Sequence, residues 1–215
     1  MSRLFILLFT LAVAACGSLP EAADPTSDAP ELQGPPVVDF HDAESYRQAL
    51  QVWRTPHDVN AWIGVKFRYD MARAMLLSET QRGKSGQLAI HLPHDFFASP
   101  SGVCVDLSRF AVETLRHIDP QLKPNYLMIE FAPMKIAGNT LRLHWLATFK
   151  RDGKYYFFAD SKRPGHLAGP YASTQEFIEE YAKYRGREIV TSRELESYER
   201  KRRTLASKQS REERP

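Results

Sequence analysis

The apolar pattern of this chain changes character once, near Asp119-Pro120, and that change limits the folds open to it. Before it, the periodic segments have helical spacing. Residues 43–53 put Tyr46, Leu50 and Trp53 on one face, and Pro56 ends the run. Residues 59–77 read as a second helix with Trp62, Val65 and Phe67 or Tyr69 inward. Gly83-Lys84-Ser85-Gly86 is a loop, and residues 87–97 stay open between a short strand and a turn. Residues 104–118 form a helix whose apolar face is Leu107, Phe110, Ala111, Leu115 and Ile118. After Pro120 the segments 126–131, 140–150 and 154–160 are rich in aromatic and branched residues and read as strands. Arg151-Asp152-Gly153-Lys154 is a hairpin turn between the last two. Residues 174–184 form a late helix capped by Ser173 or Thr174 above Glu176. Helices followed by antiparallel strands specify an α+β domain.

The ends of the chain have a different composition. In residues 1–15, Arg3 precedes an apolar run and Ala14-Ala15 precede Cys16, the pattern of a lipoprotein signal in which Cys16 is the acylated residue. An ordinary cleavable signal or a short anchor fits the same run. Gly17 rather than Asp follows Cys16, which by resemblance to Gram-negative lipoproteins favours the outer membrane, facing the periplasm. No other segment has the roughly 20 apolar residues of a membrane span. Residues 16–38, rich in Pro, Ala, Ser, Asp and Glu, read as a flexible tether. Residues 39–197 are the folded domain, of about 160 residues and able to bury one core. Residues 198–215 are a charged tail, expected to be disordered. A net charge of +3 is modest, and for an exported chain the basic tail does not indicate a nucleic-acid partner. The expected partners are a protein or peptide substrate and the membrane, reached through the lipid, with the chain itself a monomer.

Two cysteines are present, and acylation of Cys16 leaves Cys104 as the single free thiol. No intrachain disulfide is then possible, so stability rests on the core. A thiolate is favoured at a helix start beside an imidazole, and Cys104 opens a helix just after Ser101-Gly102. Free N–H groups at that turn could hold an oxyanion. The hairpin centred near Asp152-Gly153 makes His144 and Asp160 cross-strand neighbours, one as base and the other as orienting carboxylate. Each has a plainer reading: a cysteine that packs, a satisfied core histidine, an aspartate at a strand end. His91, His94, His117 and His166 are weaker candidate bases. The seven histidines are scattered without HxxxH or HxH spacing, so neither a metal site nor a cofactor is expected.

Gly102 and Cys104, then His144-Trp145, then Asp160 resemble the transglutaminase-like superfamily, a branch of the papain-like cysteine hydrolases. Val59-Asn60-Ala61-Trp62-Ile63-Gly64 resembles the upstream helix of its bacterial cysteine proteinases. The similarity spans roughly residues 43–185. It implies a Cys at a helix start packed on an antiparallel sheet that carries His and Asp, with Asn60 or Trp62 as oxyanion or substrate contacts. It further implies acyl transfer on an amide, with peptidase or amidase activity ahead of transamidation to an amine. The adhesin-processing members carry acidic residues on both sides of the cysteine and require calcium. Here Val103 and Val105 stand there and only Asp106 remains, so calcium dependence is not expected. The alternatives are a catalytically silent envelope scaffold and a related cell-wall hydrolase with a second histidine, which Asp160 disfavours. The cleft loops are assigned to residues 83–99 and 133–139, and residues 186–201 are a candidate lid.

Overall fold

The computed structural model describes residues 27–31, 41–82, 88–136 and 138–199. The signal segment, Cys16 and residues 200–215 lie outside the described residues.

The first half is helical. Helix α1 (Tyr46–Val52) is capped by the Ser45 hydroxyl. Helix α2 (Pro56–Lys66) starts in a reciprocal Thr55–Asp58 capping box with Pro56 in its first turn. The helix expected over 59–77 is two helices. After Lys66 the backbone extends as strand β1 (Arg68–Tyr69), and α3 (Met71–Leu77) restarts under an Asp70 cap. The reason is tertiary: β1 pairs in parallel with β2 (Ser101–Gly102), so local helical spacing is overridden at two residues. Helix α4 (Glu79–Arg82) and helix α5 (Pro93–Ala98) follow; of the segment left open between strand and turn, residues 88–92 are irregular and the rest enters α5. Helix α6 (Cys104–Ile118) has the expected bounds, and a 3₁₀ turn (Pro120–Leu122) ends the helical half.

The strands are longer than expected: β3 (Asn125–Ile136) and β4 (Asn139–Arg151) form a long hairpin. The assigned loop at 133–139 is therefore largely strand. The next hairpin turns at Asp152 and Gly153, both with positive φ, into β5 (Lys154–Phe158). Then come β6 (Ala168–Tyr171), α7 (Thr174–Arg185) and β7 (Ile189–Leu195). The segment 186–201 is not a lid in its described part: β7 pairs antiparallel with β3 and completes a five-stranded antiparallel sheet, β6-β5-β4-β3-β7. Tyr198, expected in the disordered tail, packs against Tyr126 at 5.9 Å and under the Arg109 guanidinium.

The sheet divides the core into two layers. Trp145, Ala147, Phe149 and Phe158 face α1, α2, α5 and α6 on one side. Leu127, Ile129, Phe131, Leu146 and Phe157 face α7 on the other, through Phe177, Ile178 and Tyr181. The fold is α+β, and α6 and α7 cover opposite faces of the same sheet.

Candidate active site

The position of Cys104 is fixed by what lies just before it. The amides of Arg68 and Asp70 donate to the carbonyls of Pro100 and Gly102 at 2.8 and 2.9 Å, holding the entry to α6 against β1. A Cβ at Gly102 would lie 3.0 Å from Phe96 and from Asp106, so any larger residue would have to push these buried side chains aside. Asp106, fully buried, accepts from the amides of Val103 (3.0 Å) and His91 (2.9 Å). It also forms a two-pronged pair with Arg73 at 2.7 and 2.8 Å. Four donors thus converge on one carboxylate and lock the first turn of α6. The sequence left Asp106 only as the remnant of a calcium-type pattern; its role is to hold the helix start. Cys104 is the first residue of that helix and is 7% exposed.

His144 and Asp160 meet as the sequence led one to expect, by a route it did not contain. His144 Nε2 lies 3.1 Å from Asp160 Oδ1, with both side chains buried. The β4–β5 ladder pairs Ala147 with Phe158. Continued in register, it would set Asp160 opposite Trp145, on the α6 face and away from His144. The ladder ends at Phe158, and Ala159 takes φ +57°. That left-handed residue turns Asp160 onto the face of His144.

Helix α7 supplies groups that the sequence reading missed. The Tyr181 hydroxyl donates to Asp160 Oδ2 and lies 3.0 Å from His144 Nε2, its ring stacked on the imidazole at 5.9 Å. Arg185, one turn on and 1% exposed, donates to the Tyr181 hydroxyl at 3.2 Å. Arg163 Nε reaches Asp160 Oδ2 at 3.3 Å. The available signal was a Tyr and an Arg four residues apart on the inward face of the late helix.

The other nitrogen of His144 faces the tether. Asp28 Oδ2 lies 3.3 Å from Nδ1, within ion-pair range but out of line for a hydrogen bond. Asp28 Oδ1 pairs with Arg185 Nη2 at 2.8 Å. The reading of residues 16–38 as a wholly free tether is therefore corrected for residues 27–31, which dock through charge rather than through a core of their own. Cys104 Sγ, a ring nitrogen of His144 and a carboxylate oxygen of Asp28 lie within 4.8 Å of one another. Thiolate, imidazole and carboxylate form a donor set that zinc accepts. The sequence offered no metal-ligand spacing because Asp28 joins the group from outside the folded domain.

The electrostatics follow from this packing. Burial disfavours the imidazolium, but the Tyr181 oxygen and the carboxylates of Asp28 and Asp160 outweigh it, holding His144 well above the ordinary imidazole range. Burial likewise acts against the charged forms of Asp160 and Asp28. For Asp160 the hydrogen bond and charge of His144 with the Arg163 charge, and for Asp28 the charge of His144 with the Arg185 bond and charge, prevail and keep both well below the usual carboxylate range. Burial pushes the Cys104 thiol up. His144 and the Trp145 backbone N–H favour the thiolate, and the Asp28 charge works against it. The docked segment thus favours the charged form of the imidazole and the neutral form of the thiol. Beside Asp28 lies a cavity of about 180 Å³, lined by Tyr69, Met71, Met75, Phe131, Leu143 and Arg187 among others.

The two expected oxyanion residues have other engagements. Asn60 Nδ2 donates to the Gly165 carbonyl at 2.7 Å, tying α2 to the loop after β5. Trp62 is buried among Trp53, Phe96, Phe97 and Phe110. Neither hydrogen-bonds Cys104, His144 or Asp160 among the described residues. No protein-family model matches the chain, and no curated protein matches it.

Proposed function

We propose that the chain is a cysteine acyl hydrolase of the transglutaminase-like, papain-like type. It is exported, held at the outer membrane through lipidated Cys16, and acts on amide bonds of envelope proteins or peptides. The observation that carries this reading is the meeting of Cys104, at the start of α6, with His144, whose far nitrogen is held by Asp160.

The chemistry balances with these groups alone. His144 Nδ1 takes the thiol proton as Cys104 Sγ bonds to the substrate carbonyl carbon, and the carbonyl electron pair moves onto oxygen. The backbone N–H groups of the first α6 turn have no intrahelical partners and suit that oxyanion. The amide C–N bond then breaks, and the leaving nitrogen takes the proton from His144. Water, deprotonated by the same ring, cleaves the thioester to a carboxylic acid and restores the thiol. Asp160 keeps the ring oriented and supports its charged form.

The test uses p-nitrophenyl acetate and intact-mass measurement, in the Asp28→Ala background so that the tether does not cover the thiol. One acetyl group should accumulate per chain, on Cys104, and disappear in Cys104→Ser and in His144→Ala. Absence of an adduct on Cys104 would leave this thiol a packing residue and favour a silent scaffold.

A further inference from the structure

The docked tether is held by more than the contact with His144. Over residues 27–31 the chain offers two carboxylates three residues apart, and each meets a basic group in the cleft. Asp28 pairs with Arg185, which also donates to the Ser27 carbonyl at 3.2 Å. Glu31 pairs with Lys162 Nζ at 2.9 Å and accepts from the Tyr184 hydroxyl at 2.7 Å, while its amide donates to the Lys162 carbonyl at 3.3 Å. Two main-chain contacts and two ion pairs amount to recognition of an extended peptide.

The burial of Arg185 makes this a built site. Its guanidinium is almost wholly inside the protein, and Asp28 is its direct carboxylate partner among the described residues. An arginine with no anion there would be costly. Arg163 and Arg187 lie nearby: Arg163 over the Tyr184 ring at 4.1 Å, and Arg187 lining the cavity next to Asp28. The cleft is therefore basic around the catalytic group, while the chain as a whole is only +3.

We infer that this cleft is a binding site for acidic peptides, in which Arg185 and Lys162 read carboxylates three residues apart, and that residues 27–31 are its resident occupant. The inference rests on the catalytic reading of Cys104–His144–Asp160 and names the substrate class for it. An acidic segment of an envelope protein enters by displacing the tether. The tether competes at the high local concentration of a covalently linked ligand, so free peptides bind the wild-type chain weakly. Because Asp28 presents a side-chain carboxylate to the imidazole rather than an amide to the sulfur, the resident segment occupies the site without providing a bond to cleave.

The experiment is fluorescence anisotropy of a labelled Ser-Asp-Ala-Pro-Glu-Leu peptide, titrated with full-length wild-type chain and with the Asp28→Ala/Glu31→Ala double variant. The expected result is binding to the double variant at least about ten-fold tighter than to wild type. The Asn/Gln version of the peptide should bind the double variant at least about ten-fold more weakly than the acidic one, as expected when a buried charge pair loses one partner. Equal binding to wild type and double variant, equal binding of the acidic and neutral peptides, or no binding to the double variant at millimolar protein would each overturn the inference. The readout does not involve the thiol. Binding as expected without acetylation of Cys104 would refute the catalytic reading alone and leave the peptide site standing.

Discussion

Asp106 and His144 show how single buried charges set the properties of this site. Asp106 neutralises Arg73 and satisfies two backbone amides at once. Replacing it with Ala leaves a nearly buried guanidinium without its carboxylate and two backbone donors unpaired. We expect a loss of about 3–5 kcal/mol in urea unfolding, together with slower modification of Cys104 as the helix start loosens; a loss below about 1 kcal/mol would contradict this role. His144 contributes through linkage. Its folded pKa is raised from 6.5, so its contribution is complete below about pH 6.5 and is lost as pH rises through the folded value. Asp28 and Asp160 are lowered from 3.8, so theirs is present above about pH 4 and is lost as pH falls through their folded values. A calorimetric profile of Tm against pH should therefore fall on both flanks. In Asp28→Asn the alkaline fall should begin at lower pH, because one carboxylate supporting the imidazolium is gone. Superimposable profiles would contradict the pairing of Asp28 with His144.

At the scale of elements, the site depends on two places where regular structure stops. Ala159 ends the β5 ladder with a left-handed residue, and Ala159→Val should cost at least about 1–2 kcal/mol. It should also displace Asp160, so that alkylation of Cys104 slows in the Asp28→Ala background. Gly102→Ala should cost about 1–3 kcal/mol by overpacking against Phe96 and Asp106, measured by chemical denaturation. The sequence made the regular parts legible. The bounds of α6, the turn at Asp152-Gly153 and the separation of His144 from Asp160 all follow from spacing and turn chemistry. What it could not contain was the parity of Asp160, because the hairpin register alone points that side chain to the wrong face. It also concealed the break between α2 and α3, where pairing of Tyr69 with Gly102 overrides helical spacing. Asn60 and Trp62 were drawn from resemblance, and the packing of α2 uses both for other contacts.

At the scale of the molecule, the sheet separates two functions. The α6 layer carries Cys104 and most of the aromatic core, and the α7 layer carries Tyr181 and Arg185, which hold His144, Asp160 and the docked segment 27–31. The composition of residues 16–38 reads as a tether without a core of its own, but the docking of residues 27–31 depends on partners at 162, 184 and 185 that no local pattern links to them. The proposed chemistry requires that His144 activate the Cys104 thiol. The most direct measurement is the pH dependence of iodoacetamide alkylation at Cys104, followed by peptide mass in Asp28→Ala and in Asp28→Ala/His144→Ala. Activation predicts rapid modification near neutral pH, well below the free-thiol value of about 8.5, and its loss when His144 is removed. Modification that rises only near that value and is indifferent to His144 would contradict the claim.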